Sequence, residues 1–293
     1  MHNLPLVSIC IPTYNGQQFI AEALDSALSQ TYQNLEIIVS DDASIDNTLS
    51  IIKSYTSKTQ IPIHIYIHKP NGIGDNWNNC MCKAKGAYIK FLFQDDIIAP
   101  TCIEEMVNIL EHYPNVGLVA SKRDFLIDSL QSSESANKWI EVFGDLQRTL
   151  NLKIENNISI IDNSLLKSEN FLKTPRNKIG EPSAVLFRSS LINKIGLFDN
   201  SLKQILDCEY WYRILMHCNI AILHKNLMSF RLHSNQATKV NSENEVSDHH
   251  AYNRVLYKVY LPYLHPEIRK RLLRKYNLFY KIYYWTLDRI KVK

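Results

Sequence analysis

Four apolar stretches in the first hundred residues each break off into a short polar cluster, and this repeated join constrains the fold more than any other feature. Residues 6–13 (LVSICIPT) run into Tyr14, Asn15 and Gly16, and residues 35–40 (LEIIVS) into Asp41, Asp42, Ala43 and Ser44. Residues 61–68 lead to Asn71 and Gly72, and the stretch 86–93 (GAYIKFLF) stops at Gln94, Asp95 and Asp96. Runs of this length, rich in β-branched and aromatic residues, predict strands. The run 87–93 is nearly unbroken rather than alternating, as in a parallel strand covered on both faces. In 61–68, Ile61, Ile63, Ile65 and Ile67 alternate with His64, Tyr66 and His68, which predicts the margin of a sheet.

Helical spacing fills the intervals. Phe19, Ile20, Ala23, Leu24, Ala27 and Leu28 share one face; Asp46 is placed to cap a helix that buries Leu49, Ile52 and Tyr55. Further helices are predicted over 75–85 and from Pro100, the latter with Ile103, Met106, Val107 and Leu110 inward, before a strand at 116–121. Strand alternating with helix predicts an α/β fold with a Rossmann-like, mostly parallel central sheet flanked by helices. Parallel strands bring their carboxyl ends to one rim, so polar tips distant in sequence converge on one crevice. Capping and turn formation explain any single tip. Four together point to a ligand site.

Composition narrows the ligand and the setting. With 293 residues, 45% of them hydrophobic, the chain can bury a large core. It contains no apolar run near the roughly 20 residues of a membrane-spanning helix, and MHNLPLVSIC is not a basic-then-apolar leader, so a cytoplasmic location is expected. Cys80-x-Cys82 has no second pair at zinc-finger spacing, and reduced thiols are expected for all six cysteines. Residues 267–293 carry nine Lys or Arg against two acids, leaving residues 1–266 at −3. An acidic body without a recognised binding module argues against nucleic acid as a partner. A dinucleotide site would need G-x-G-x-x-G after the first strand, and a P-loop is also missing. Without a glycine-rich cradle, paired aspartates holding Mg²⁺ or Mn²⁺ are the natural way to neutralise a diphosphate. In extended backbone, Asp95 and Asp96 point opposite ways, so only one of the two is the direct metal ligand.

The string VSICIPTYNG…FIAEALDSALSQTYQNLEIIVSDDASIDNT…NGIG…AKGAYIKFLFQDD resembles the family-two nucleotide-sugar glycosyltransferases of GT-A fold, strongly over residues 5–125. The resemblance implies a nucleotide-sugar site built from Pro12, Thr13, Tyr14, Asn15, Asp42, Asn71 and Asp95. Asp42 would pair with the base, usually uracil, while Tyr14 packs on it. The D-x-D-like element is Gln94-Asp95-Asp96, with Asp95 at the ribose and Asp96 at the metal; many members carry another aspartate where Phe93 stands. Asp96 is expected on the exposed rim.

The second half is less regular. A helix is predicted over 135–152 and a turn then strand over 179–187; Gly196-Leu197-Phe198-Asp199 again resembles the family. Asp207-Cys208-Glu209-Tyr210-Trp211-Tyr212-Arg213 resembles the segment where a carboxylate at a helix start is the catalytic base, which selects Asp207, with Glu209 as the fallback. Backbone donors at that helix start are expected to keep Asp207 ionised. The alternative is a plain helix cap. After a strand at 220–223, Arg231-Leu232-His233 matches the Arg-x-His of relatives, with His233 near the diphosphate or metal. The polar run 235–250 suits a mobile lid. The resemblance thus implies three parts: a catalytic domain over 1–235, divided at 125/126 into nucleotide-sugar and acceptor halves, and 236–293 as a loop with C-terminal helices. Residues 268–292 mix aromatic with basic side chains, which suits a helix on an anionic membrane surface or one packed on the domain or between protomers.

The activity implied is inverting transfer of a sugar, UDP-linked, to a hydroxyl of a glycan or lipid-linked saccharide in cell-surface polysaccharide synthesis. A non-catalytic nucleotide-sugar-binding protein is the alternative. It would keep Asp42, Asp95 and Asp96 but has no use for a base at Asp207.

Overall fold

The computed structural model describes residues 4–127, 133–233, 236 and 247–291. Strands β1 (Val7–Thr13), β2 (Leu35–Asp41), β3 (Ile63–Ile67) and β4 (Tyr88–Phe91) form a parallel block in the order β3-β2-β1-β4. Every residue of β1, β2 and β4 is buried. The reason is visible in β1: Ile9 and Ile11 enter one apolar cluster and Cys10 the cluster on the opposite face. Both faces are covered, so no position along the strand favours a polar residue. Strand β3 ends the sheet with half-buried side chains, as its alternation predicts.

Helices α1 (Ile20–Leu28), α2 (Thr48–Tyr55), α3 (Ile73–Lys83) and α4 (Cys102–His112) connect these strands and continue beyond them. The predicted inward residues of α1 and α4 are buried, apart from a half-buried Leu28, and Asp46 Oδ1 accepts the Thr48 amide at 2.9 Å at the start of α2. Then follow β5 (Ile97–Ile98), β6 (Val116–Ile127), α5 (Ser133–Phe143), β7 (Ile158–Ile161), β8 (Val185–Arg188), α6 (Ile192–Ile195), α7 (Leu206–Leu215) and β9 (Asn219–Leu232). Strand β8 is antiparallel to β4 and β6, and β9 runs parallel to β6, while β5 and β7 oppose β9. Among the described residues six of the nine strands therefore run the same way, and the ends of β1, β2, β4 and β9 share one rim. Residues 125 and 126 lie inside β6, so both halves of the chain contribute to one sheet.

Several boundaries differ from expectation for identifiable reasons. Strand β9 is 14 residues rather than four, because the length of β6 pairs with it and draws Arg231 into the ladder. Helix α5 stops at Phe143 instead of residue 152: Asp145 lies 2.8 Å from Lys122 Nζ and accepts the Gln147 amide at 3.1 Å, which ties the chain back to β6. The single helix expected from residue 268 is broken into α9 (Pro266–Tyr276) and α10 (Leu278–Lys291), preceded by α8 (His249–Val255); residue 292 lies outside the described residues. Asn277 between them is extended (φ −98°, ψ 122°), and its Oδ1 accepts the Tyr280 amide at 3.2 Å. Of the expected lid over 235–250, all but Gln236 and residues 247–250 lie outside the described residues. Among the described residues no helix is long and apolar enough to cross a membrane.

Candidate active site

The loops after β1 and β2 are stapled to each other by short polar bonds. Thr13 Oγ1 donates to Asp41 Oδ2 at 2.9 Å, and Asp41 also accepts the Ser44 amide (2.8 Å) and hydroxyl (2.6 Å). Asn15 and Ala43 adopt left-handed backbone (φ 47° and 57°). The Asn15 amide donates to Ser44 Oγ at 2.9 Å, and Asn15 Oδ1 accepts the Ile45 amide at 3.0 Å. Gln94 clamps the same loop from the β4 side, accepting the Tyr14 amide at 3.0 Å and donating to the Tyr14 carbonyl at 3.1 Å. Gly16 makes room for this clamp, because a Cβ there would lie 2.2 Å from Gln94 Oε1.

The nucleotide-binding candidates consequently fall into distinct positions. Pro12 and Thr13 are buried at the end of β1, and Asn15 is committed to the loop contacts. Tyr14 leaves 53% of its surface exposed on the rim. Asp42 is buried, with His68 Nε2 2.9 Å from its Oδ1. Burial raises the Asp42 carboxyl above its ordinary range, and His68 opposes the shift. Asn71 lies on the exposed loop before α3, bonded to Asp75.

The two aspartates after β4 face different surroundings. Asp95 Oδ2 lies 2.9 Å from His233 Nε2, just beyond the end of β9. Asp96 is 1% exposed rather than on the rim, and its Oδ1 accepts the Arg231 amide at 3.1 Å. Its Oδ2 is buried without a hydrogen-bond partner among the described residues. Burial, and then the Asp95 charge, push the Asp96 carboxyl well above its usual range. Arg231 fastens the corner: Nε donates to the Asp95 carbonyl (2.9 Å), the guanidinium pairs with Glu22 (2.8 Å), and it lies over the Phe19 ring (4.5 Å). Among the described residues no group of three or more His, Cys, Asp or Glu side chains is arranged to enclose a metal ion.

Asp95 and Asp207 line one cleft, walled by Trp77, Phe93, Pro182 and Phe230. Asp207 is the second residue of α7 and accepts from Asn177 Nδ2 at 3.0 Å. The Cys208 amide at the helix start lowers its pKa as expected, but burial outweighs this and Glu181 adds to the rise, giving about 7. Expecting the helix terminus to dominate underrated desolvation. Glu209 faces away from this chemistry, 2% exposed, paired with Arg213 at 2.8 Å and bonded by the Tyr260 hydroxyl at 3.2 Å.

The sequence model of Glycosyl transferase family 2 matches residues 8–174, more than half of the chain. The chain belongs to glycosyl transferase family 2. Curated relatives of this family 2 chain include an uncharacterized glycosyltransferase of Rickettsia prowazekii, 35% identical over 235 residues, covering 80% of this chain and 66% of the relative. One of Rickettsia felis is 34% identical over 261 residues, covering 88% of this chain and 38% of the relative. The chain thus spans less than two thirds of these relatives. Among solved structures, S. aureus TarS 1–349 in complex with UDP-GlcNAc superposes with a TM-score of 0.62 at 17% identity, over 92% of this chain and 71% of that one. The mannosyltransferase PcManGT from Pyrobaculum calidifontis, in complex with GDP-Man and Mn²⁺, gives 0.59 at 14% identity, over 100% and 82%. These likenesses identify the fold as GT-A.

Within this family 2 site, four residues carry geometry that the sequence reading gave no functional role. His68 enters the alternation only as a residue opposite the isoleucines, although it meets Asp42. Gln94 belongs to the acidic motif, but its clamp on Tyr14 depends on loop geometry. Asn177 and Glu181 reach Asp207 from a turn with no distinguishing pattern.

Proposed function

We propose that this chain transfers a sugar from a nucleoside diphosphate donor, UDP-linked, to an acceptor hydroxyl, with inversion at the anomeric carbon. The observation that carries the reading is that Asp95 and Asp207, 112 positions apart, line one cleft. Asp42 receives the base and Tyr14 packs on it. The donor set at the Asp95 end, a carboxylate and an imidazole 2.9 Å apart, fits Mn²⁺ or Mg²⁺, with diphosphate oxygens completing the shell. Asp95 and His233 would hold the ion, because Asp96 is turned into the protein. When bound, the ion supplies positive charge opposite the departing diphosphate.

Asp207 acts at the other end. As the acceptor oxygen bonds to the anomeric carbon, the bond to the diphosphate breaks and the hydroxyl proton passes to the Asp207 carboxylate. A pKa near 7 suits a base at neutral pH, being high enough to attract the proton while leaving the ionised form well populated. A non-catalytic binder has no use for this arrangement. Residues 126–235 hold the acceptor, a glycan or lipid-linked saccharide of cell-surface polysaccharide synthesis. Incubation with UDP-, GDP- and dTDP-sugars, with and without Mn²⁺, identifies the donor by its hydrolysis; the TarS and PcManGT complexes hold UDP-GlcNAc and GDP-Man, so both bases belong in the panel. Product NMR is expected to show the anomer opposite to that of the donor. Retained configuration overturns the direct-displacement mechanism.

We further propose that α9 and α10 rest on an anionic membrane surface from the cytoplasmic side. Arg269, Lys270, Arg271, Arg274 and Lys275 stand on α9 against a single acid, Glu267, while Phe279 and Leu278 of α10 are 83% and 67% exposed. Basic and apolar groups side by side match lipid headgroups and the acyl boundary beneath them. Sedimentation with phosphatidylglycerol vesicles, but not with phosphatidylcholine vesicles, is expected. Equal recovery with both, or a dimer that buries α10, contradicts it.

A further inference from the structure

Asn177 stands between the turn that precedes β8 and the first turn of α7. Its Oδ1 accepts the Ile179 and Gly180 amides at 2.9 and 3.1 Å, while Nδ2 donates to the Gly180 carbonyl at 2.9 Å and to Asp207 Oδ2 at 3.0 Å. Two backbone donors on Oδ1 fix the orientation of the side-chain amide, so its NH₂ group must face Asp207. The Gly180 carbonyl also accepts from Trp211 Nε1 at 3.0 Å. Trp211 follows Asp207 by four residues and so lies on the same face of α7. The turn is therefore fastened to that face at two adjacent points, one of them a fully buried indole.

We infer that Asn177 is the positioning residue of the base: it takes Oδ2 and holds the carboxylate in one orientation, so that Oδ1 receives the acceptor proton. This rests on the reading of Asp207 as the base. Without that bond the carboxylate can rotate about its Cβ–Cγ bond, and then it presents neither oxygen reliably to an acceptor. Asn177 also tunes the charge, since a donor to the ionised form favours it. Burial and the Glu181 carboxylate, from the turn before β8, raise Asp207, while Asn177 and the Cys208 amide pull it down. The neighbouring Cys208 thiol is itself held well above its ordinary range by burial, and remains neutral.

The test is donor hydrolysis by the full chain from about pH 5 to pH 9, using the nucleotide sugar found active in the panel. Asn177→Asp keeps an oxygen for the Ile179 and Gly180 amides, so the turn is preserved, but sets a carboxylate where the NH₂ group faced Asp207. Its acid limb is expected to move up by roughly one pH unit or more, as for two carboxyls sharing a site. At pH 7 kcat falls about fivefold or more, donor KM and Tm stay near wild type, and activity recovers toward pH 9. Asn177→Ala, which cannot repel, moves the limb the same way by less and lowers Tm. Profiles of both variants superimposable on wild type overturn the inference. Asp207→Asn, assayed alongside, separates the failures. Wild-type turnover in that variant removes the base itself, whereas an inactive Asp207→Asn with unmoved Asn177 profiles removes only the role of Asn177.

Discussion

Asp95 Oδ2 and His233 Nε2 lie 2.9 Å apart although 138 positions separate them in the chain. The contact follows from topology: β4 and β9 run the same way in one sheet, so the residues beyond their carboxyl ends meet at one rim. Arg231 fixes their spacing through its bond to the Asp95 carbonyl.

The pair predicts a metal-dependent loss. Asp95→Asn or His233→Ala should weaken UDP binding in Mn²⁺ by roughly 10- to 100-fold, the range for disturbing a metal site, and change little in EDTA. Asp96→Asn should keep the Mn²⁺ effect, because its side chain is buried against β9. Calorimetry on the three variants decides the matter, and loss of the Mn²⁺ effect in Asp96→Asn alone would exchange the roles of the two aspartates.

Gly16 and Gln94 should be energetically coupled. An added methyl at residue 16 meets Gln94 Oε1 and drives the side chain off the Tyr14 backbone, removing two hydrogen bonds of about 1 kcal/mol each. Gly16→Ala should therefore lower stability and donor affinity, yet cost far less in a Gln94→Ala background. Urea unfolding of the four proteins in the cycle gives the coupling. Additive effects would mean that the clamp contributes nothing.

Asp207 should make stability depend on pH in the direction opposite to a salt-bridged acid. Its folded pKa of about 7 lies above the roughly 3.9 of an unfolded aspartate, so the native state binds the extra proton between these values. Stability falls as pH rises through that window and stays reduced above it. Asp207→Asn should raise Tm at pH 8, with the gain shrinking below about pH 5, and a gain that is equal at both pH values points to packing rather than charge.

How far the sequence revealed this site depended on whether the information was local. Strand periodicity and strand-end composition placed Tyr14, Asp42 and Asp95 on a common rim, because parallel strands leave no other location for their carboxyl ends. Asp207 was legible through its motif, but its raised pKa was not, since desolvation depends on what the rest of the chain packs around it. Asp96 was misjudged as a rim residue for the same reason: the pair lies in a turn closed by the Asp96 amide on the Phe93 carbonyl at 3.1 Å, not in extended backbone, and the neighbouring Arg231 strand covers Asp96. Lys90, fully buried inside β4 with its Nζ bonded to the Ser183 and Phe91 carbonyls, interrupts the apolar run without breaking the strand. Asn177 and His68 carried no local signal, as each gains meaning only from a partner 30 or 26 positions away.

The account centres on Asp207 as the base, and turnover of Asp207→Asn tests it most directly. The amide is nearly isosteric and can still accept from Asn177, so the substitution removes charge with little change in packing. With the donor identified by the sugar panel, kcat is expected to fall by roughly 10²- to 10⁴-fold, the span of general-base catalysis, while calorimetric UDP affinity in Mn²⁺ stays within a few-fold of wild type. Wild-type kcat in Asp207→Asn, with UDP affinity equally unchanged, would contradict the account.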